Sequence, residues 1–527
     1  MAKIHYFLAV GVGTAIALIY IKPSLSQNLP SLVQSPISQV ETNEPLPVPS
    51  LPTIVNPETP TLEFINPNTN SPPPPDRTEK TPAPDLFNPS PNPLLFPTQT
   101  EEVQIQNTQP ITLKEAIELA ERNNRQLQAA RLTLERTQSA LQEALAAEFP
   151  TVSAIGQFNR NDSAQSELAN RQRTFGNTND NTSTTIDTSL QVNYNAYTAG
   201  RRPAAIRASE EQIRFQQLEV EKISEDLRRS TTRAYYDLQD ADAQVEIRQA
   251  AVNDAARSLR DAQLLEQAGL GTRFEVLQSQ VELANNNQEL TNAIRQQRIN
   301  RRQIAEILSL PQKLEISAAE PIQVAGEWEL SLEDSIILAM KNRAELEQQL
   351  VQRNISEQQQ RIALAANKPQ LSVFANYDIL GQLDNNNGVA DGLSLGARFQ
   401  WDFFDGGAAK AKAKQEVTNI AIAETNFADQ RNQVRFQVEQ AFFNLRANKE
   451  NIQTANLALQ QAQESLRLAR LRFQAGVGTQ TDVINQQTAL TRSRVNLLTA
   501  ILNYNRALAD LQRSISNLPD SKLFDLP

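Results

Sequence analysis

One order of elements occurs twice in this chain, and that duplication limits the possible folds more than any other feature of its 527 residues. Thr112-Leu113-Lys114-Glu115-Ala116-Ile117 returns as Ser331-Leu332-Glu333-Asp334-Ser335-Ile336, and Phe149-Pro150 returns as Lys368-Pro369, both 219 positions on. Ala234-Tyr235-Tyr236-Asp237-Leu238 then matches Ala441-Phe442-Phe443-Asn444-Leu445, and Ala268-Gly269-Leu270-Gly271-Thr272 matches Ala475-Gly476-Val477-Gly478-Thr479, now 207 positions on. Leu310-Pro311 matches Leu518-Pro519. The offset falls by twelve between the two sets, so the second copy has lost a loop. Ordered similarity over this length marks two copies of one supersecondary unit, 111–329 and 330–519.

Within each copy the hydrophobic period changes twice. Leu113, Ile117, Ala120, Asn124, Leu127, Arg131, Leu134, Gln138, Leu141 and Leu145 step by four and three, which predicts one helix ending at Pro150. The period then becomes two. Ile186, Thr188, Leu190, Val192, Tyr194 and Ala196 alternate with polar residues, as do Leu371, Val373, Ala375, Tyr377 and Ile379, and Leu393, Leu395, Ala397, Phe399, Trp401 and Phe403. Val152, Ala154, Gly156 and Phe158 form a shorter fourth strand. Asn-rich polar stretches join the strands of each pair. After Gly200 and after Gly406-Gly407 the helical period returns. Pro203 suits a first helical turn, and from there to Ala268 neither Pro nor Gly intervenes. About 66 residues rising 1.5 Å each give a helix of roughly 100 Å. Its stripe, Leu238, Ala241, Val245, Arg248, Val252, Ala255, Leu259 and Ala262, and the matching one from Leu445 to Ala469, predict close coiled-coil seams. Gly269-Leu270-Gly271-Thr272 and Gly476-Val477-Gly478-Thr479 turn the chain into returning helices, so both are hairpin tips.

The strands fix the setting. Four strands of about ten residues, apolar on one face and carrying Tyr194, Tyr197, Phe399, Trp401, Phe403 and Phe404 near the helix-proximal end, match outer-membrane barrel strands in length and alternation. Four strands cannot close a barrel, and open edges are excluded from lipid, so several chains must share one sheet. Two copies per chain in a trimer give twelve strands. A soluble hairpin in a periplasmic protein is the other reading of the strands, and an ordinary coiled-coil dimer that of the helices.

Composition agrees and narrows the chemistry. The chain has one His and no Cys, and His5 lies in a segment expected to be removed, so no His- or Cys-based catalytic group or metal site can form. No cofactor is expected, and no phosphate-binding loop is present. Lys3, the apolar run Tyr6 to Ile21 and the small residues Ser24 and Ser26 read as an export signal over 1–26, cleaved before Gln27, with an uncleaved anchor as the other reading. Of 28 prolines, 21 fall in residues 1–110. Residues 27–110 are therefore expected to be a disordered, proline-rich linker, and 520–527 a short tail. Residues 23–110 hold nine Asp/Glu against Arg77 and Lys80, which leaves the body near neutral and disfavours nucleic acid as a partner.

The order helix, strand, strand, long helix, tip, return helix, twice over, with Arg472-Phe473-Gln474-Ala475-Gly476-Val477-Gly478-Thr479 leading into Asp482-Val483-Ile484-Asn485, resembles the TolC-like outer membrane efflux protein family across 111–519. The resemblance implies an α+β membrane protein. It would be a homotrimeric channel-tunnel, with a 12-stranded transmembrane β-barrel in outer-membrane lipid continued by a long periplasmic α-helical coiled-coil barrel. It implies no enzyme. Its partners would be a periplasmic adaptor docking on the tips and an inner-membrane pump supplying energy, in efflux or type I secretion. The resemblance also implies a ring of acidic residues just beyond the tip turns. Asp482 stands at the first such place, Asn485 is neutral at the second, and Glu275 matches Asp482 in copy one. First-turn carboxylates also favour the helix dipole, so a gate ring and simple helix-start charge both fit. Arg273, matched by Gln480, is a candidate for holding the tips shut. The alternative overall is a periplasmic coiled-coil scaffold without a pore.

Overall fold

The computed structural model describes residues 87–90, 92–105, 107–162, 164–172, 182–383 and 388–516. The signal segment 1–26, the linker up to residue 86 and the tail 520–527 lie outside the described residues, as do the loop segments 173–181 and 384–387.

Each copy opens with two helices where the sequence predicts one. In copy one these are α1, Leu113–Asn123, and α2, Arg125–Ala146, with Asn124 extended between them at ψ 125°. The Asn124 carboxamide accepts from the backbone N–H of Gln126 and Leu127, capping α2 as a short polar side chain can. A one-residue break leaves the stripe at period 3.5 in register, so periodicity alone does not register it. Copy two breaks at the matching place, Arg343, between α6, Leu332–Asn342, and α7, Ala344–Ala365.

The strands follow. In copy one β2, Thr151–Asp162, and β3, Thr182–Tyr197, flank a short helix α3, Ala164–Gln172, which the Asn-rich loop did not announce. Copy two supplies β5, Gln370–Gln382, and β6, Val389–Gln400. All four join in one antiparallel sheet of order β2-β3-β5-β6. The two long helices, α4, Arg201–Gln267, and α8, Ala408–Gln474, have 67 residues each. They return as α5, Arg273–Ile307, and α9, Gln480–Ile515. The hairpins α4/α5 and α8/α9 pack along their lengths, and α4 also packs on α2, α7 and α9. In the described residues no helix is long and apolar enough to cross a membrane.

A second sheet was not foreseen. Asn107–Ile111 forms β1, which pairs in parallel with β4, Leu314–Ala318. Residues 107–110, assigned from the sequence to the linker, are thus strand. Phe87, also in that range, is buried against the body and its carbonyl accepts from Asn123 Nδ2 at 3.0 Å. Beneath lies the main core, where Ile111, Leu119, Leu127, Leu238, Ile304, Leu308 and Ile316 surround Tyr235. The Tyr235 hydroxyl donates to the Ile111 carbonyl at 3.1 Å, and burial pushes its pKa up.

Candidate functional site

The β-sheet sorts its side chains by face. Val152 pairs with Val192, Ala154 with Leu190 and Phe158 with Ile186; β3 then sets Leu190 beside Tyr377 and Val192 beside Ala375, and β5 sets Leu371 beside Phe399 and Ala375 beside Leu395. Because alternate residues of a strand lie on opposite faces, this register gathers most apolar residues of the four strands on one side, with Asp391 among them beside Ile379, and leaves Ile155, Phe374 and Leu380 on the other. The other side carries Ser153, Gln157, Gln191, Asn376, Ser394 and their neighbours. The apolar side is open: Val152, Leu190, Leu393 and Leu395 are among its exposed residues. Among the described residues the outer edges of β2 and β6 have no partner strand.

The predicted aromatic band lies at the helix-proximal end of that side. Tyr197, Leu371 and Phe399 form one row of the sheet. Between the pairs Tyr194/Val373 and Tyr197/Leu371, β3 advances three residues while β5 advances two. This bulge brings Tyr194 and Tyr197, which strict alternation would separate, onto the same face. Trp401 and Phe403 continue the band beyond β6, with ring centroids 4.3 Å apart, and Trp401 Nε1 donates to the Asn367 carbonyl at 3.2 Å. Arg202 stands 5.4 Å from the Tyr194 ring centre.

At the far end both tips have one geometry. Gly269 and Gly476 adopt φ of +72°, the left-handed conformation that ends a helix, and the following N–H groups of Leu270 and Val477 return to the carbonyls of Leu265 and Arg472. At the second glycine of each tip an added Cβ would lie 3.0 Å from Leu265 Cβ for Gly271 and 3.0 Å from Phe473 N for Gly478. Thr272 and Thr479 then cap the return helices. We expect Gly269→Ala and Gly476→Ala to cost about 1–2 kcal/mol each from the left-handed strain alone, read as greater protease sensitivity of the tips with the rest of the protein intact.

Glu275 and Asp482, predicted for the gate, each sit in a capping box. Thr272 N–H donates to Glu275 Oε2 at 2.8 Å, and Thr479 N–H to Asp482 Oδ2 at 2.9 Å. The backbone N–H of Thr479, and then its hydroxyl, hold the Asp482 carboxyl below the usual range, so it stays ionised in neutral solution. Arg273 lies 3.8 Å from Glu266 on its own hairpin. Residues assigned no such role from the sequence join one hairpin to the other. Gln480 Nε2 donates to Ser279 Oγ at 3.2 Å and Gln487 Nε2 to Ser258 Oγ at 2.9 Å, all four residues being buried. Thr481 Oγ1 donates to Gln278 Oε1, and Arg470 pairs with Asp254 at 3.3 Å. Gln480 itself, noted only as the counterpart of Arg273, was the one signal available.

A buried charge cluster sits nearer the sheet. Arg513 reaches Glu345 at 2.7 Å, Asp226 at 2.8 Å and Glu225 at 3.6 Å, tying α9 to α7 and α4. Arg343 donates to Glu345 at 2.8 Å and to the Ser514 carbonyl at 3.0 Å. Burial raises the Glu345 pKa, but the hydrogen bonds and charges of Arg343 and Arg513 outweigh it and bring the carboxyl down to about 2. Glu221 and Glu225 go the other way, raised chiefly by burial. In the described residues no group of three or more His, Cys, Asp or Glu is arranged to hold a metal ion.

The chain thus presents an apolar-faced antiparallel sheet set on paired long helical hairpins. The chain matches the outer membrane efflux protein family over residues 116–309 and 336–517, and it belongs to that family. It is an outer-membrane protein with a periplasmic helical part. A search of curated protein sequences gives no match. Solved structures share the fold. The outer membrane protein VceC from Vibrio cholerae aligns with a TM-score of 0.64 at 18% identity, over 76% of this chain and 95% of that one. The CmeC outer membrane channel of Campylobacter jejuni aligns at 0.67 and 15%, over 76% and 85%. The open state of the MtrE outer membrane channel of Neisseria gonorrhoeae aligns at 0.64 and 15%, over 82% and 97%.

Proposed function

We propose that three copies of this chain close their sheets into a twelve-stranded barrel and their hairpins into a tunnel. The assembly is the passive exit duct of a tripartite efflux or type I secretion system. The observation that carries this reading is the sheet of four strands with one largely apolar face and, among the described residues, two free edges. A lone sheet of this kind leaves edge N–H and C=O groups unpaired in lipid, and edge-to-edge closure satisfies them. A periplasmic adaptor docks on the two glycine tips, and an inner-membrane pump drives transport.

The tips also act as the gate. The Gln480–Ser279 and Gln487–Ser258 bonds hold the two hairpins of each chain together in the resting state. Each buried bond contributes about 1 kcal/mol, so Gln480→Ala with Gln487→Ala removes about 2 kcal/mol per chain and should raise the open population roughly thirtyfold. Single-channel recording on purified protein in planar bilayers tests both parts. Heat-sensitive trimers that conduct support the duct, and a monomer that makes no channel would overturn it. In the same recordings Asp482→Asn with Glu275→Gln should weaken block by multivalent cations, and unchanged block would remove these residues from the gate.

A further inference from the structure

On the polar side of the sheet, one position in copy two differs in kind from its counterpart in copy one. Phe374 of β5 pairs with Gly396 of β6, and its ring lies against that glycine. A Cβ built at Gly396 would stand 2.5 Å from Phe374 Cζ and 2.9 Å from Cε1, so any side chain there must push the ring off the wall. Over the ring, the Arg398 guanidinium lies 5.7 Å from its centre. Glycine, ring and guanidinium therefore form a layered stack, in which a cation–π contact fixes where the positive charge stands. Among the described residues no carboxylate lies within ion-pair distance of Arg398. Its row partner is Ser372, and the next two rows hold Asn193 and Thr151, then Asn376, Gln191 and Ser153, all neutral. The next carboxylate of the polar side in the outward direction, Asp378, lies six residues beyond Ser372 along β5, about 20 Å. In the helix-proximal direction Asp402 follows the end of β6 and accepts from Gln400 Nε2 at 3.4 Å. In copy one the corresponding rows carry Ile155 opposite Ser189 and Ser153 opposite Gln191. The duplicated sheet thus forms without this stack, and the fold does not require it.

We propose that Arg398, held on the Phe374 ring in the space left by Gly396, is a selectivity element of the bore. Three such guanidinium groups make a positive band near the helix-proximal end of the barrel that concentrates anionic solutes. The proposal rests on the exit duct proposed above, in whose barrel the polar side of the sheet would line a water-filled bore. A band of fixed charge in a bore raises the local concentration of the opposite ion. Organic carboxylates and phosphates are the cargo class it favours.

The absence of native cysteine allows a direct test. Ser372→Cys places a single thiol opposite Arg398, and its reaction rates with an anionic and a cationic methanethiosulfonate reagent of similar size report the local potential. In the assembled full-length protein the anionic reagent should be favoured by about tenfold relative to a free thiol at low salt, and less as salt rises. Adding Arg398→Gln should remove that preference. Phe374→Ala should reduce it while leaving the charge in place, and Gly396→Val should do the same by displacing the ring. Equal ratios with and without Arg398→Gln would overturn the proposal. A thiol that neither reagent reaches would overturn it together with the bore itself, whereas a reactive thiol with an unchanged ratio leaves the bore standing.

Discussion

Replacing Leu190 by arginine should remove the protein from the outer membrane, while the same change one residue away, at Ser189, should leave it there. Leu190 lies in the middle of β3 on the apolar side, between Ala154 and Tyr377, and Ser189 lies on the polar side between Ile155 and Asp378. An arginine facing lipid near the bilayer midplane costs about 2–4 kcal/mol in a barrel, so three copies in one trimer would lose about 6–12 kcal/mol. That is comparable to the whole stability of an ordinary domain. The expected result is that Leu190→Arg yields little or no heat-sensitive trimer in outer-membrane fractions, and Ser189→Arg yields normal amounts. Equal loss from both would mean that β3 is sensitive to bulk or charge in general, and the lipid-facing assignment of the apolar side would fall.

The second large effect is expected at Arg513. This buried guanidinium faces Glu225, Glu345 and the half-exposed Asp226, and removing it takes the partner from buried Glu225 and leaves Glu345 with Arg343 alone. Breaking such a buried network by deleting one partner typically costs about 3–5 kcal/mol, so Arg513→Met should lower thermal and denaturant stability markedly. Its pH dependence separates charge from packing. In the native protein the Glu345 pKa is depressed to about 2, so its contribution is complete above the ordinary carboxylate range and is lost as pH falls toward 2. Without Arg513 the same carboxyl loses one of the charges that depress it. The deficit of the variant relative to the native protein should therefore be smaller at pH 5 than at pH 8. A deficit independent of pH would assign the effect to lost packing alone.

Local pattern carried much of the architecture. The change of period from 3.5 to 2 and back, punctuated by Pro150, Gly200, Gly406-Gly407 and the glycine pairs at the tips, placed the four strands and both long hairpins close to where they stand. Alternation also settled which residues share a face, since β2, β3, β5 and β6 pair so that their apolar positions coincide. What stayed hidden depends on segments far apart in sequence. The parallel pairing of Asn107–Ile111 with Leu314–Ala318 joins two five-residue stretches too short to announce themselves, one of them containing Pro110. The breaks at Asn124 and Arg343 leave the helical stripe undisturbed. Gln480, Gln487 and Arg513 look like ordinary surface residues of a helix until α4, α5 and α7 are packed against them. For the gate, sequence named Glu275 and Asp482, and the structure adds that each already serves its own helix as a cap. Cap and gate are compatible roles at Asp482, whose carboxyl the Thr479 N–H holds in its charged form.

The equal length of α4 and α8 has a consequence for how such a chain can change. Both helices run 67 residues from a left-handed glycine at the sheet, Gly200 or Gly407, to a glycine tip. They behave as two rulers cut to one measure. Removing seven residues from each arm of one hairpin alone would draw its tip back by about 10 Å and break the alignment of Gln480 with Ser279 and of Gln487 with Ser258. Removing a matched heptad from all four arms would keep every lateral contact in register and shorten the whole molecule. The span that this protein can bridge is thus adjustable only in paired steps, and an insertion in one half calls for its twin in the other.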